Sequence, residues 1–160
     1  MFSDKSNQQG GFGTVEIIIV SALVITMTLA VSAALVSVIR LGTSSSNQMQ
    51  AFLRIDESAE ALQIMRDTSW SSSIGAATIG TTYYLERLSN SYALSSTQPT
   101  SEDYYTEVVF EEVRRDMDGV LDDNGDVDSD SLRAVVSVYR TADAKFLTDG
   151  EFLIHNVYEN

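Results

Sequence analysis

From Ile17 to Ile39 the chain runs 23 residues without a charge, a proline or a glycine. As a helix this run would span about 35 Å, enough for a hydrocarbon layer of about 30 Å. Its serines and threonines (Ser21, Thr26, Thr28, Ser32, Ser37) can bond back to their own helix. The polar stretch Gly42-Thr43-Ser44-Ser45-Ser46-Asn47 then predicts a break, because glycine, serine and asparagine favour caps and turns over helix interiors. From Gln48 the pattern turns amphipathic. Met49, Phe52, Ala59, Leu62 and Met65 are expected to form the buried stripe. Gly75 and the serines around Trp70 mark the helix end.

Beyond this the periodicity shortens to that of strands. Tyr104 to Val113 is rich in Tyr, Val and Phe. Leu132 to Thr141 alternates Leu132, Ala134, Val136 and Val138 against Arg133, Val135, Ser137 and Tyr139. Glu151 to Tyr158 carries a further apolar set. Thr82–Leu88 and Tyr92–Leu94 suggest a shorter hairpin. Residues 114–131 are expected as the loop joining an antiparallel pair. The fold class implied is α+β, one long N-terminal helix packed on a small antiparallel sheet. The last strands carry apolar groups on both faces, so the face away from the helix needs loops or a neighbouring subunit. The divisions expected are a leader over 1–11, an apolar helix over 12–40, its amphipathic continuation over 41–68 and a head over 69–160.

Composition changes this picture in two ways. The formal charge is −13, and from Arg40 onward 21 acids face 9 bases. Such a surface repels phosphate backbones, so no direct nucleic-acid partner is expected. The absence of cysteine removes disulfides and thiolate chemistry. Lys5 before the apolar run and Arg40 after it leave positive-charge counting tied. The short leader and the large acidic segment favour the N-terminus inside and the head outside a cytoplasmic membrane. A secretory signal peptide would have a shorter apolar region and a cut after it.

The most specific local pattern precedes the apolar run. Gly11-Phe12-Gly13-Thr14-Val15-Glu16 places a small-to-aromatic junction four residues before a carboxylate. Within hydrocarbon that carboxylate would cost on the order of 3 kcal/mol. A cut after Gly11 would create an amine at Phe12 that can pair with Glu16 of a neighbouring copy. These residues resemble the class III signal of type IV pilins and of the pseudopilins of type II secretion. The resemblance implies a structural subunit and not an enzyme. It implies cleavage at Gly11–Phe12 by a prepilin peptidase, methylation of Phe12, and Glu16 as the assembly carboxylate. The partners implied are other pilin or pseudopilin subunits, the peptidase, an inner-membrane assembly platform and the lipid bilayer, with the filament reaching the cell exterior. Gly13-Thr14-Val15 replaces the usual Thr-Leu-Ile. The lack of a mid-helix Pro or Gly points to a helix that melts less on assembly or to a subunit that is not the main one. Arg66-Asp67 near Trp70, Thr81-Thr82-Tyr83-Tyr84-Leu85, Val108-Val109-Phe110 and Arg115-Asp116 extend the likeness to a group of minor pseudopilins.

Other chemistry is less specific. Gly10, Gly11 and Gly13 lack the preceding strand and closing Lys-Ser/Thr of a phosphate loop. Asp122, Asn124, Asp126, Asp128 and Asp130 recur at every second position, a spacing that could offer oxygens to Ca²⁺. An EF-hand counted from Asp122 would need Gly and Glu where Val127 and Arg133 stand, so a solvated loop is the simpler reading. No other cofactor is expected. His155 is the single histidine, and no nucleophile motif adjoins any serine. Trp70, Tyr83, Tyr84, Tyr104 and Tyr105 are expected in the core or over the helix–sheet seam, with sugar stacking or a subunit interface as the functional reading. A second functional reading is a monomeric signal-anchored receptor or adhesin with an acidic, calcium-binding head.

Overall fold

A computed structural model describes residues 13–157. The junction Gly11–Phe12 and Tyr158 therefore lie outside the described residues. The elements are α1 (Thr14–Ser69), β1 (Thr82–Arg87), β2 (Tyr92–Ser95), β3 (Tyr104–Arg115), β4 (Asp126–Arg140) and β5 (Lys145–His155). The chain divides into two compact units, Met1–Ser44 and Ser45–Asn160.

In the first unit the described residues are helix, preceded by Gly13, and all are exposed. This stretch is long and apolar enough to cross a membrane. Four of its hydroxyls bond to carbonyls of the same helix. Thr26 donates to the carbonyl of Leu23 at 2.9 Å, and Thr28 to Val24 and Ser32 to Thr28 at 2.8 Å each. Ser21 does the same to Ile17. These four hydroxyls need no partner from solvent, which suits an apolar medium.

The break expected at 42–47 does not occur; α1 is helical throughout. Thr43 donates to the Ile39 carbonyl at 3.0 Å, as the hydroxyls upstream do. Interrupting a helix leaves end groups unpaired and requires a second nucleation. Those costs exceed the roughly 1 kcal/mol that Gly42 imposes. The boundary between the two units nevertheless falls inside this polar stretch.

The second unit is α+β. The end of α1 packs on a sheet in the order β2–β1–β3–β4–β5, and every pairing is antiparallel. Its core joins Ala51, Ile55, Leu62 and Met65 of the helix to Val108, Phe110, Ala134, Val136, Val138 and Ile154 of the sheet. The alternation expected in β4 is observed, with Ala134, Val136 and Val138 fully buried. Burying a Leu or Phe of this kind contributes about 1.5–3 kcal/mol.

Of the expected helical stripe Leu62 and Met65 are buried, but its start is rotated. Residues 51, 55, 58, 62 and 65 face the sheet, with Ala61 beside them, whereas Met49 and Phe52 are exposed. The true stripe is interrupted by Ser58, whose polarity hides the spacing. Ser58 is tolerated there because its hydroxyl bonds the Arg54 carbonyl at 2.6 Å. Small residues at this seam let the helix approach closely. Opposite it, a Cβ on Gly150 would stand 3.0 Å from Cγ2 of Ile55, so glycine in β5 is a packing choice. That same Asp149-Gly150 pair disguises the strand start, which lies at Lys145 instead of Glu151.

Candidate functional site

At the start of α1 the amides of Glu16 and Ile17 donate to the Gly13 carbonyl at 2.9 and 3.3 Å. Glu16 lies in the first helical turn. There, unpaired amides and the helix dipole favour a carboxylate by a few tenths to about 1 kcal/mol. Among the described residues no cation pairs with Glu16. The apolar residues that follow are open on every side, from Ile17 at 58 % exposure to Leu29 at 64 %. An uncompensated acid thus leads an uncovered apolar helix.

The acidic segment divides differently from the expected loop. Arg114 and Arg115 end β3, and Asp126, Asp128 and Asp130 belong to β4. Only residues 116–125 connect the strands. Acids at every second position fit one face of a strand as well as a chelating loop. In the turn, Asp116 accepts the amides of Asp118 and Val120 at 3.0 and 2.8 Å, and Asp122 accepts that of Asn124 at 3.0 Å. These carboxylates hold backbone. A Cβ at Gly125 would lie 2.2 Å from the Arg115 carbonyl, so the crossing of turn and strand needs glycine. Among the described residues no group of three or more acidic, His or Cys side chains has a metal-holding arrangement.

His155 acquires a partner that spacing did not reveal. Pairing of β3 with β4 steps from Glu112–Leu132 to Val113–Asp128, leaving 129–131 of β4 unmatched on that side. This bulge buries Ser131 completely, and its Oγ lies 2.8 Å from Nδ1 of exposed His155. Asp128 in turn accepts Nε of Arg115 at 2.7 Å. Hydrogen bonds from Ser131 and Arg115 hold the Asp128 carboxyl below the ordinary value of 3.8. The sequence of contacts is Arg115, Asp128, Ser131, His155. A nucleophile triad instead places the histidine between serine and acid, with the serine open to substrate. The arrangement ties a bulge to the end of β5 and does not supply an attacking hydroxyl.

The aromatic residues separate by sheet face. Tyr83 packs 6.2 Å from Phe110 on the core side, and Tyr104 Oη donates to Asn47 at 3.1 Å. Trp70 also packs against the core. Tyr84, Tyr105, Tyr139 and Phe146 instead form a row across β1, β3, β4 and β5 on the other face. Their successive centroid separations are 6.0, 5.2 and 5.7 Å. Tyr105 and Tyr139 are directly paired in register and stack within 10° of parallel. Burial first, and then the charge of Glu107, push the phenols of Tyr84, Tyr105 and Tyr139 above the ordinary value of 10.0. The signal was available at alternate strand positions, but the row needed the strand order to assemble it.

A polar cleft of about 280 Å³ lies beside the helix end, lined by residues including Arg66, Asp67, Trp70 and Asn156. Arg66 and Asp67 close on each other there at 2.7 Å. No protein family, curated protein or solved structure matches the chain.

Proposed function

We propose that this chain is a structural filament subunit of the minor pilin or pseudopilin type, and not an enzyme. In this reading a prepilin peptidase cuts after Gly11 and Phe12 is methylated. The apolar part of α1 holds the subunit in the cytoplasmic membrane with the head outside. The subunit then joins a surface or envelope-spanning filament through Glu16 and the amine of a neighbouring Phe12. The observation that carries the proposal is Glu16 in the first turn of an apolar helix, four residues after the Gly11–Phe12 junction. The fully exposed apolar surface of residues 17–39 supports it, because such a surface requires lipid or other helices. A fixed charge at its edge is economical only when a cation meets it.

Mass spectrometry of the chain from cells containing the peptidase is expected to give an N-terminal methylated Phe12. A chain beginning at Met1 in those cells would refute the proposal. Glu16→Val is expected to insert into membrane normally and to lose at least about tenfold in filament incorporation, the equivalent of one missing ion pair near 1.4 kcal/mol. Normal incorporation would strip Glu16 of its role.

A further inference from the structure

The sheet face opposite the helix combines aromatic side chains with carboxylates that form no ion pair among the described residues. Pairing places Glu107 of β3 opposite Tyr84 of β1 on one side and Ser137 of β4 on the other, with Asp149 of β5 beyond. Glu151 lies two residues further along β5, opposite Val135. Among the described residues, Glu107, Asp149 and Glu151 form no ion pair, while Arg133 on this face is taken by Glu111 at 3.7 Å. The guanidiniums of Arg54, Arg66, Arg87, Arg114, Arg115 and Arg140 are all spent on acids elsewhere in the head. Lys145 opens β5 beside Arg140, and among the described residues no cation forms an ion pair with Glu107, Asp149 or Glu151. A second copy would bring the same acidic surface and be repelled.

We propose that this sheet face is a docking surface for an arginine-containing basic segment of a different protein, received at Glu107 against the half-buried rings of Tyr84 and Tyr139, which flank the buried Tyr105. Arginine fits this surface better than lysine. Its planar guanidinium can lie over a tyrosine ring while its edge donates to a carboxylate. The carboxylate supplies a charge-assisted hydrogen bond, and the adjoining rings shield it from water. The row is pre-formed by cross-strand stacking, so little side-chain freedom is lost on binding. The surface is independent of Glu16 and of filament formation.

The test uses the full chain in nonionic micelles and a hexa-arginine peptide as probe, with affinity read by fluorescence anisotropy at physiological salt. Glu107→Gln is expected to weaken binding about tenfold, and Tyr139→Leu similarly, while Tyr139→Phe, which keeps the ring, stays within about threefold. The double variant Asp118→Asn/Asp123→Asn removes more charge from the β3–β4 turn and is expected to stay within about twofold. Hexa-lysine is expected to bind several-fold more weakly than hexa-arginine. Equal weakening by the turn variant and by Glu107→Gln would overturn the proposal in favour of diffuse charge attraction. Failure of the wild-type chain to bind would overturn it outright. Circular dichroism separates lost binding from lost fold in Tyr139→Leu, and Glu107→Gln tests the same site without touching a ring.

Discussion

Two stretches of one helix behave in opposite ways. Residues 14–44 are the most apolar part of the chain, and none of them is buried. Residues 45–69 are richly charged, yet they bury Ala51, Ile55, Ser58, Ala61, Leu62 and Met65. Hydrophobicity alone does not predict burial within the chain. A stripe is buried where a sheet of the same chain can cover it. A helix apolar all round needs an external solvent, either lipid or other helices. The first stretch is long and apolar enough to cross a membrane, and the second covers the chain's own sheet.

The contrast can be broken most forcefully at Leu62, which is 1 % exposed. Leu62→Ala is expected to destabilise the head by about 2–5 kcal/mol, through lost burial and an unfilled cavity. Chemical denaturation of the full chain in micelles, followed by tyrosine fluorescence, measures it. A cost below 1 kcal/mol would mean that the helix–sheet seam is not the core.

A smaller effect is expected at Asp128, where a half-screened ion pair secures the β4 bulge. Asp128→Asn should cost about 1 kcal/mol, since the carboxylate is partly exposed and paired with Arg115. Its folded pKa is depressed, so the sign follows from linkage. The contribution is complete above the unfolded value near 3.8 and is lost as pH falls through the lower folded value. Acid titration of wild type and variant should therefore converge at low pH. A difference that grows on acidification would contradict the pairing.

The smallest effect is expected in the apolar stretch. Leu29→Ala should leave head stability within about 0.5 kcal/mol of wild type, since exposed substitutions far from the core change little. A loss comparable to that of Leu62→Ala would erase the distinction between the two stretches.

The elements were legible because each writes its own period into the chain. The apolar run, the alternation of β4 and the turn-rich helix end are local signals. Errors arose where two structures share a period or a polar residue interrupts one. Ser58 inside the seam shifted the expected stripe onto Met49 and Phe52. Acids at every second position read as part of a solvated loop over 114–131, although Asp126, Asp128 and Asp130 lie in a strand. Gly42 and its polar neighbours resembled a break although continuation of the helix costs less than ending it. His155 gave no hint of Ser131, because only the register of β4 with β5 sets them opposite each other at 2.8 Å.

By itself the sequence determined the membrane-length helix, the Gly11-Phe12-Glu16 pattern and the α+β order of elements, since these depend on residues close together along the chain. Only the tertiary structure decided which helical stripe is covered, how the acids divide between turn and strand, and that four aromatic rings form one row on the face away from the helix. Those outcomes depend on strand order and register, which bring together residues as far apart as Tyr84 and Phe146. Local periodicity selects an element, but the partner across the sheet selects its face.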